Sequence, residues 1–182
     1  MTVKTFYFNP FRECTYVLSD PQGHAVIIDA GMYDEREEKR FADYIAQEQL
    51  QPIALLITHS HPDHVCGAIW LEQTYGLQVE TLDDKLANLS QKGWNIPIEV
   101  IPTPGHKEDS VCFYLPTEKK LFTGDTLFQE SIGRTDLDGG DMSLLIESLH
   151  RLMFMDDDIE VYPGHGYPTT IGHERQYNPY IQ

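Results

Sequence analysis

Short apolar runs, punctuated by Gly and Pro, set the pattern of this chain. "KTFYF", "CTYVLS" and "AVIID" are rich in aromatic and β-branched residues and are separated by turn-forming segments, which predicts three strands. In "DEREEKRFADYIAQEQL" the period changes. Phe41, Tyr44, Ile45 and Glu48 fall at helical spacing, acids crowd the start and Pro52 lies just beyond the end, so a helix is predicted. Beyond it one arrangement recurs. "IALLI" runs into "THSHPDH", "IEVI" into "PTPGH", "KLF" into "TGD", and "IEVY" into "PGHG". Each is a short buried-looking strand ending in a turn that carries His or Asp. Helices are predicted between them, at about 65–75 and 142–153. Mixed strands and helices around a sheet-built core give an α/β class, and chemistry-bearing turns at strand ends belong on one edge of such a core.

The densest of these turns holds His59, His61, Asp63 and His64. Two residues apart, His59 and His61 diverge on a helix but face one side of an extended segment. Pro62 forces His61 into an extended conformation and is suited to begin the next helix, whose first turn then contains Asp63 and His64. One segment thus offers two neighbouring ligand pairs. His106, Asp125 and His165, each beside a glycine, raise the set to seven. A catalytic zinc takes three protein ligands and keeps a position open. Seven donors exceed one ion and suit two divalent ions about 3.5–4 Å apart that share a carboxylate. Asp125 is the natural bridge, because an imidazole spans two ions only by losing its remaining proton. Zinc leads this reading, and the ligand types also suit iron or manganese.

Composition narrows the rest. The 182 residues fit a single domain, 1–182. The start, "MTVKTFYFNPFREC", lacks the order of a signal peptide and no run has the length of a membrane span, so a cytoplasmic location is expected. Cys14, Cys66 and Cys112 are scattered, which argues against disulfides and a thiolate zinc site. Cys66 reads as a small buried helix residue. With 13 Lys and Arg against 29 Asp and Glu, the net charge is −16, and nucleic acid and anionic membrane are excluded as expected partners in favour of a small-molecule substrate.

The order H-x-H-x-D-H, T-P-G-H, T-G-D and G-H-G resembles the metallo-β-lactamase superfamily. "SIGRTDL" and "TTIGHERQYNPYI" are most similar to its glyoxalase II-like (hydroxyacylglutathione hydrolase-like) branch. The resemblance spans essentially the whole chain. It implies an αββα sandwich with the metals at one edge of two sheets. It also implies His59, His61 and His106 on one metal, Asp63, His64 and His165 on the other, and Asp125 between them. The activity implied is hydrolysis of thioesters by a hydroxide bridging the metals, with Asp63 orienting it. Asp29, in "IIDAG", has a family counterpart that braces the metal loop. Arg134, in "SIGRTD", is a candidate for holding a substrate anion, with an internal salt bridge as the alternative. Three features depart from the family. Glyoxalase II continues into a helical domain that helps to bind glutathione, whereas this chain ends 17 residues after His165; "KEDS" follows T-P-G-H; and Asp125 stands where β-lactamases commonly carry Cys. An oxidoreductase of the same superfamily, a persulfide dioxygenase with one iron held by the equivalents of His59, His106 and Asp125, is the alternative.

Overall fold

The computed structural model describes residues 1–77 and 82–181, and of residues 82–85 the backbone alone. The chain forms two compact units, Met1–Ile57 with His61–Ile96, and Thr58–Ser60 with Pro97–Gln182.

The first unit is built on a four-stranded sheet in the order β1 (Thr2–Phe8), β2 (Glu13–Ser19), β3 (His24–Ile28), β4 (Gln51–Leu56). The first three strands are antiparallel neighbours, and β3 and β4 run parallel, so both end on the same edge. The connection between β3 and β4 is α1 (Glu35–Gln47), whose N-cap Asp34 accepts from the Glu37 N–H at 2.9 Å. Its inner face buries Phe41 and Ile45 against Phe6 and Phe8 of β1. Burying such side chains is worth about 1.5–3 kcal/mol each. Glu48, placed on the periodic face by sequence, is instead the exposed C-cap. Three helices follow: α2 (Pro62–Val65), α3 (Ala68–Tyr75) and α4 (Leu82–Leu89).

The helix expected at about 65–75 starts later than predicted, because the chain breaks at Cys66 and Gly67. There the Gly67 N–H donates to the Ala30 carbonyl at 2.8 Å, tying the break to the turn after β3. Cys66 is exposed at the end of α2, not buried.

The second unit holds a five-stranded sheet in the order β11–β10–β7–β6–β5. Along the chain these are β5 (Glu99–Pro102), β6 (Val111–Leu115), β7 (Lys120–Gly124), β10 (Glu160–Pro163) and β11 (Thr169–Thr170). A small hairpin, β8 (Leu127–Phe128) with β9 (Ser131–Ile132), stands apart from it. Helices α5 (Met142–Leu152) and α6 (Ile171–Tyr177) complete the unit. Leu145, Leu149 and Leu152 of α5 pack with Leu121, Val161 and Ile171. Strands β7 and β10 are parallel, while β6 is antiparallel to both β5 and β7. β5, β7 and β10 therefore all point the same way, and the turns after them emerge on one edge. Those turns carry His106, Asp125 and His165. Strand β6 and helix α6 were not read from the sequence.

Candidate metal centre

The H-x-H-x-D-H segment is divided between the units: His59 groups with the second, and His61, Asp63 and His64 with the first.

In the first unit His61 is the extended N-cap of α2 (φ −67°, ψ 145°), with Pro62 at the first helical position and Asp63 and His64 in the turn that follows. This is the conformation expected from Pro62. His64 is buried, and its Nδ1–H donates to Asp29 Oδ2 at 2.8 Å. That bond fixes the tautomer and leaves Nε2 as the donor for a cation. His64 Nε2 lies 3.8 Å from Asp63 Oδ2. Asp29 is buried in a left-handed conformation (φ 59°), which short polar side chains tolerate better than most. The segment is pinned on its backbone as well. Ala30 N–H donates to the His64 carbonyl at 2.8 Å, and Asn9 Nδ2 donates to the Asp63 carbonyl at 3.0 Å and the Gly31 carbonyl at 3.1 Å.

Behind the Asp29–His64 pair lies Glu13, fully buried, with Oε1 3.9 Å from His64 Nδ1. Its Oε2 accepts from the Thr15 hydroxyl at 2.8 Å, and Thr15 in turn accepts from Gly31 N–H at 2.9 Å. Burial pushes the Glu13 carboxyl well above the usual range; His64 opposes the shift and Asp29 adds to it. Sequence reasoning missed Glu13 and Asn9. The available signal was a charge opening the otherwise uncharged, fully buried strand "ECTYVLS".

In the second unit His59, His106, Asp125 and His165 come together. The His59 and His106 rings meet edge to face, with centroids 4.8 Å apart. Asp125 Oδ2 is 3.5 Å from His106 Nε2 and 3.6 Å from His165 Nε2. The parallel pairing of β7 and β10 accounts for the second distance: Gly164 N–H donates to the Gly124 carbonyl at 2.8 Å, setting the two strand ends side by side. His106 Nδ1–H donates to the Arg134 carbonyl at 2.7 Å, and His59 Nδ1 pairs with the Thr58 hydroxyl at 3.1 Å. Two glycines permit these approaches. A Cβ at Gly124 (φ 48°) would stand 2.5 Å from Thr58 Oγ1, and one at Gly133 would stand 1.8 Å from the Asp125 carbonyl oxygen. The Arg134 side chain is turned to Asp136 in a two-pronged ion pair at 2.6 and 2.7 Å, which lowers the Asp136 pKa to about 2. What Arg134 gives His106 is its backbone carbonyl, a contribution that side-chain identity does not announce.

The donor set fits a metal. Two ligand atoms about 2.0–2.2 Å from a tetrahedral ion stand about 3.4 Å apart. The His106–Asp125, His165–Asp125 and Asp63–His64 separations are 3.5, 3.6 and 3.8 Å. Three of the histidines are held through Nδ1, as metal-ligating imidazoles usually are.

A sequence model of the metallo-β-lactamase superfamily matches residues 10–98 and 95–165. The chain belongs to the metallo-β-lactamase superfamily. Hydroxyacylglutathione hydrolase GloC of Haemophilus influenzae is 32% identical, over 100% of this chain and 98% of its own length. Among solved structures, the BLEG-1 B3 metallo-β-lactamase superposes with a TM-score of 0.87 at 31% identity, with 100% of both chains covered. TTHA1623, solved in a di-iron-bound form, superposes at 0.80 with 32% identity, over 99% of this chain and 100% of its own. The α/β class and the metallo-β-lactamase fold expected from sequence are thus borne out. The chain is a metal-dependent hydrolase of this superfamily. No helix among the described residues is long and apolar enough to cross a membrane.

Proposed function

We propose that this metallo-β-lactamase superfamily member hydrolyses thioesters of small molecules with two divalent ions. His59, His61 and His106 would hold one ion, Asp63, His64 and His165 would hold the other, and Asp125 would serve both. The observation that carries the reading is the Asp125 carboxylate, one oxygen of which faces the Nε2 atoms of two different histidines at nearly equal distance. Support also comes from the likeness to GloC and to a protein solved with two irons.

When bound, such a pair lowers the pKa of water into the neutral range and polarises the scissile carbonyl. The residues of the chain supply order around that chemistry. Asp63 accepts a hydrogen bond from the attacking water and aims it at the carbonyl carbon. Asp29 keeps His64 in one tautomer, and the Arg134 carbonyl does the same for His106. No side chain forms a covalent intermediate. The glutathione portion is a reasonable leaving group to test first, since GloC matches this chain over nearly its whole length.

Metal analysis together with steady-state hydrolysis of S-lactoylglutathione, other thioesters, lactones, persulfides and β-lactams tests the proposal. Two equivalents of metal and thioester turnover at least tenfold above the other classes are expected. One equivalent of iron with oxygen uptake on persulfides would replace this reading by the dioxygenase.

A further inference from the structure

Positive charge is scarce in this chain, and it is unevenly spread. Four of the 13 Lys and Arg residues, Lys4, Arg36, Lys39 and Arg40, line one groove of about 610 Å³ between β1 and α1, all within the first unit. With Asp43, the lining sums to +3 in a chain of −16. On α1 these side chains recur at helical spacing and form one face. Opposite them the Lys4 ammonium rests over the rings of Phe6 (5.6 Å) and Tyr44 (5.4 Å), and among the described residues no carboxylate pairs with it. Arg36 keeps 88% of its side-chain surface in solvent, 3.9 Å from Asp34 at its closest, whereas Lys39 is paired with Asp43 at 2.6 Å.

The floor of the groove is the outer edge of β1, the end strand of its sheet. Arg40 Nη2 donates to the Tyr7 carbonyl at 2.6 Å, so that carbonyl faces away from β2. In an antiparallel ladder the N–H and C=O of one residue point to the same side, and the side alternates along the strand. Val3 and Thr5 therefore direct their backbone groups outward with Tyr7, while Lys4 and Phe6 bond to β2. An open edge is a template for an added strand, and charged side chains are the usual guard against it. Here the guard is mainly cationic, with Asp43 beside Lys39 on the α1 wall. It repels basic strands and favours acidic ones.

We propose that the groove binds an extended acidic peptide segment of another protein, which adds to the β1 edge as a strand and sets its carboxylates against Lys4 and Arg36. Main-chain pairing supplies affinity in this mode, and charge supplies selectivity.

Fluorescence polarisation on the full, metal-loaded chain tests this with three labelled probes. They are an alternating Glu/Val heptapeptide, its Lys/Val counterpart, and the Glu/Val peptide N-methylated at every second residue. Saturable 1:1 binding of the first is expected, at least tenfold tighter than either of the others and weakened by salt. The double substitution Lys4→Glu/Arg36→Glu should weaken it at least tenfold, while Lys119→Glu, in the other unit, should leave it unchanged. Thr5→Pro, which removes an outward N–H and no ladder bond, should also weaken it. Equal binding of the N-methylated peptide, binding that survives the double charge reversal, or no binding at millimolar peptide would each overturn the proposal.

Discussion

Replacing Asp29 by Asn removes one charge and almost nothing else. Asn tolerates the left-handed backbone at this position (φ 59°) and still offers a carbonyl oxygen to the His64 Nδ1–H. What is lost is the difference between a buried hydrogen bond to a carboxylate, worth about 1.5–3 kcal/mol, and one to a neutral acceptor, worth about 0.5–1.5 kcal/mol. That difference of about 1.4 kcal/mol corresponds to about tenfold in affinity. It falls on the ion held through His64, because the carboxylate raises the basicity of Nε2 across the ring. Asp29→Ala removes the hydrogen bond altogether and adds about 1 kcal/mol of backbone strain, so about a hundredfold loss is expected there. Titrating metal-free protein with zinc against a chromophoric chelator resolves the two sites. One of the two equivalents should shift about tenfold in Asp29→Asn while the other stays within twofold. If the Asn variant keeps both affinities, Asp29 does not act through His64 and the tautomer reasoning is wrong.

Other outcomes follow from the same geometry. Protein purified without chelator should approach two equivalents of metal, and a firm plateau at one under excess metal would remove the shared-carboxylate reading of Asp125. Asp63→Ala should deplete one ion and lower kcat by about a thousandfold or more, measured on a thioester; near-normal turnover would exclude Asp63 from orienting the water. Gly133→Ala forces a Cβ to 1.8 Å from the Asp125 carbonyl oxygen, so about 3 kcal/mol of stability should be lost in urea unfolding, together with metal affinity. Unchanged stability in that variant would mean the loop yields freely.

The order of elements was largely legible because the strands are short and bounded by turn residues. Hydrophobic spacing found β1 to β5, β7, β10, α1 and α5. It did not find β6, since "SVCFYL" lacks alternation, nor the break that separates α2 from α3, which is set by the Gly67 bond to Ala30. The conformation of His61 was legible because Pro62 acts on its immediate neighbour, a local effect. The partners that hold the imidazoles were less so. Asp29 stood out through a family likeness, whereas the Arg134 carbonyl and Glu13 reach their histidines through the fold. Such contacts depend on where β2 begins and where the β8–β9 hairpin ends, and no spacing in the sequence encodes that. The Arg134 guanidinium is turned to Asp136, two residues away, a pairing that its position alone left open.

Pro62 constrains His61 whether or not the chain is folded, and four of the seven donors lie between His59 and His64. The unfolded polypeptide therefore keeps part of its appetite for metal. Linkage then has two regimes. A ligand that binds only the native state stabilises it by a growing logarithm of its concentration, and that growth slackens once the unfolded chain binds it too. With two ions on the native state and one on the unfolded segment, stabilisation should rise with the logarithm of free zinc and then fall to half its slope. The concentration at the bend is the affinity of residues 58–67 as a peptide.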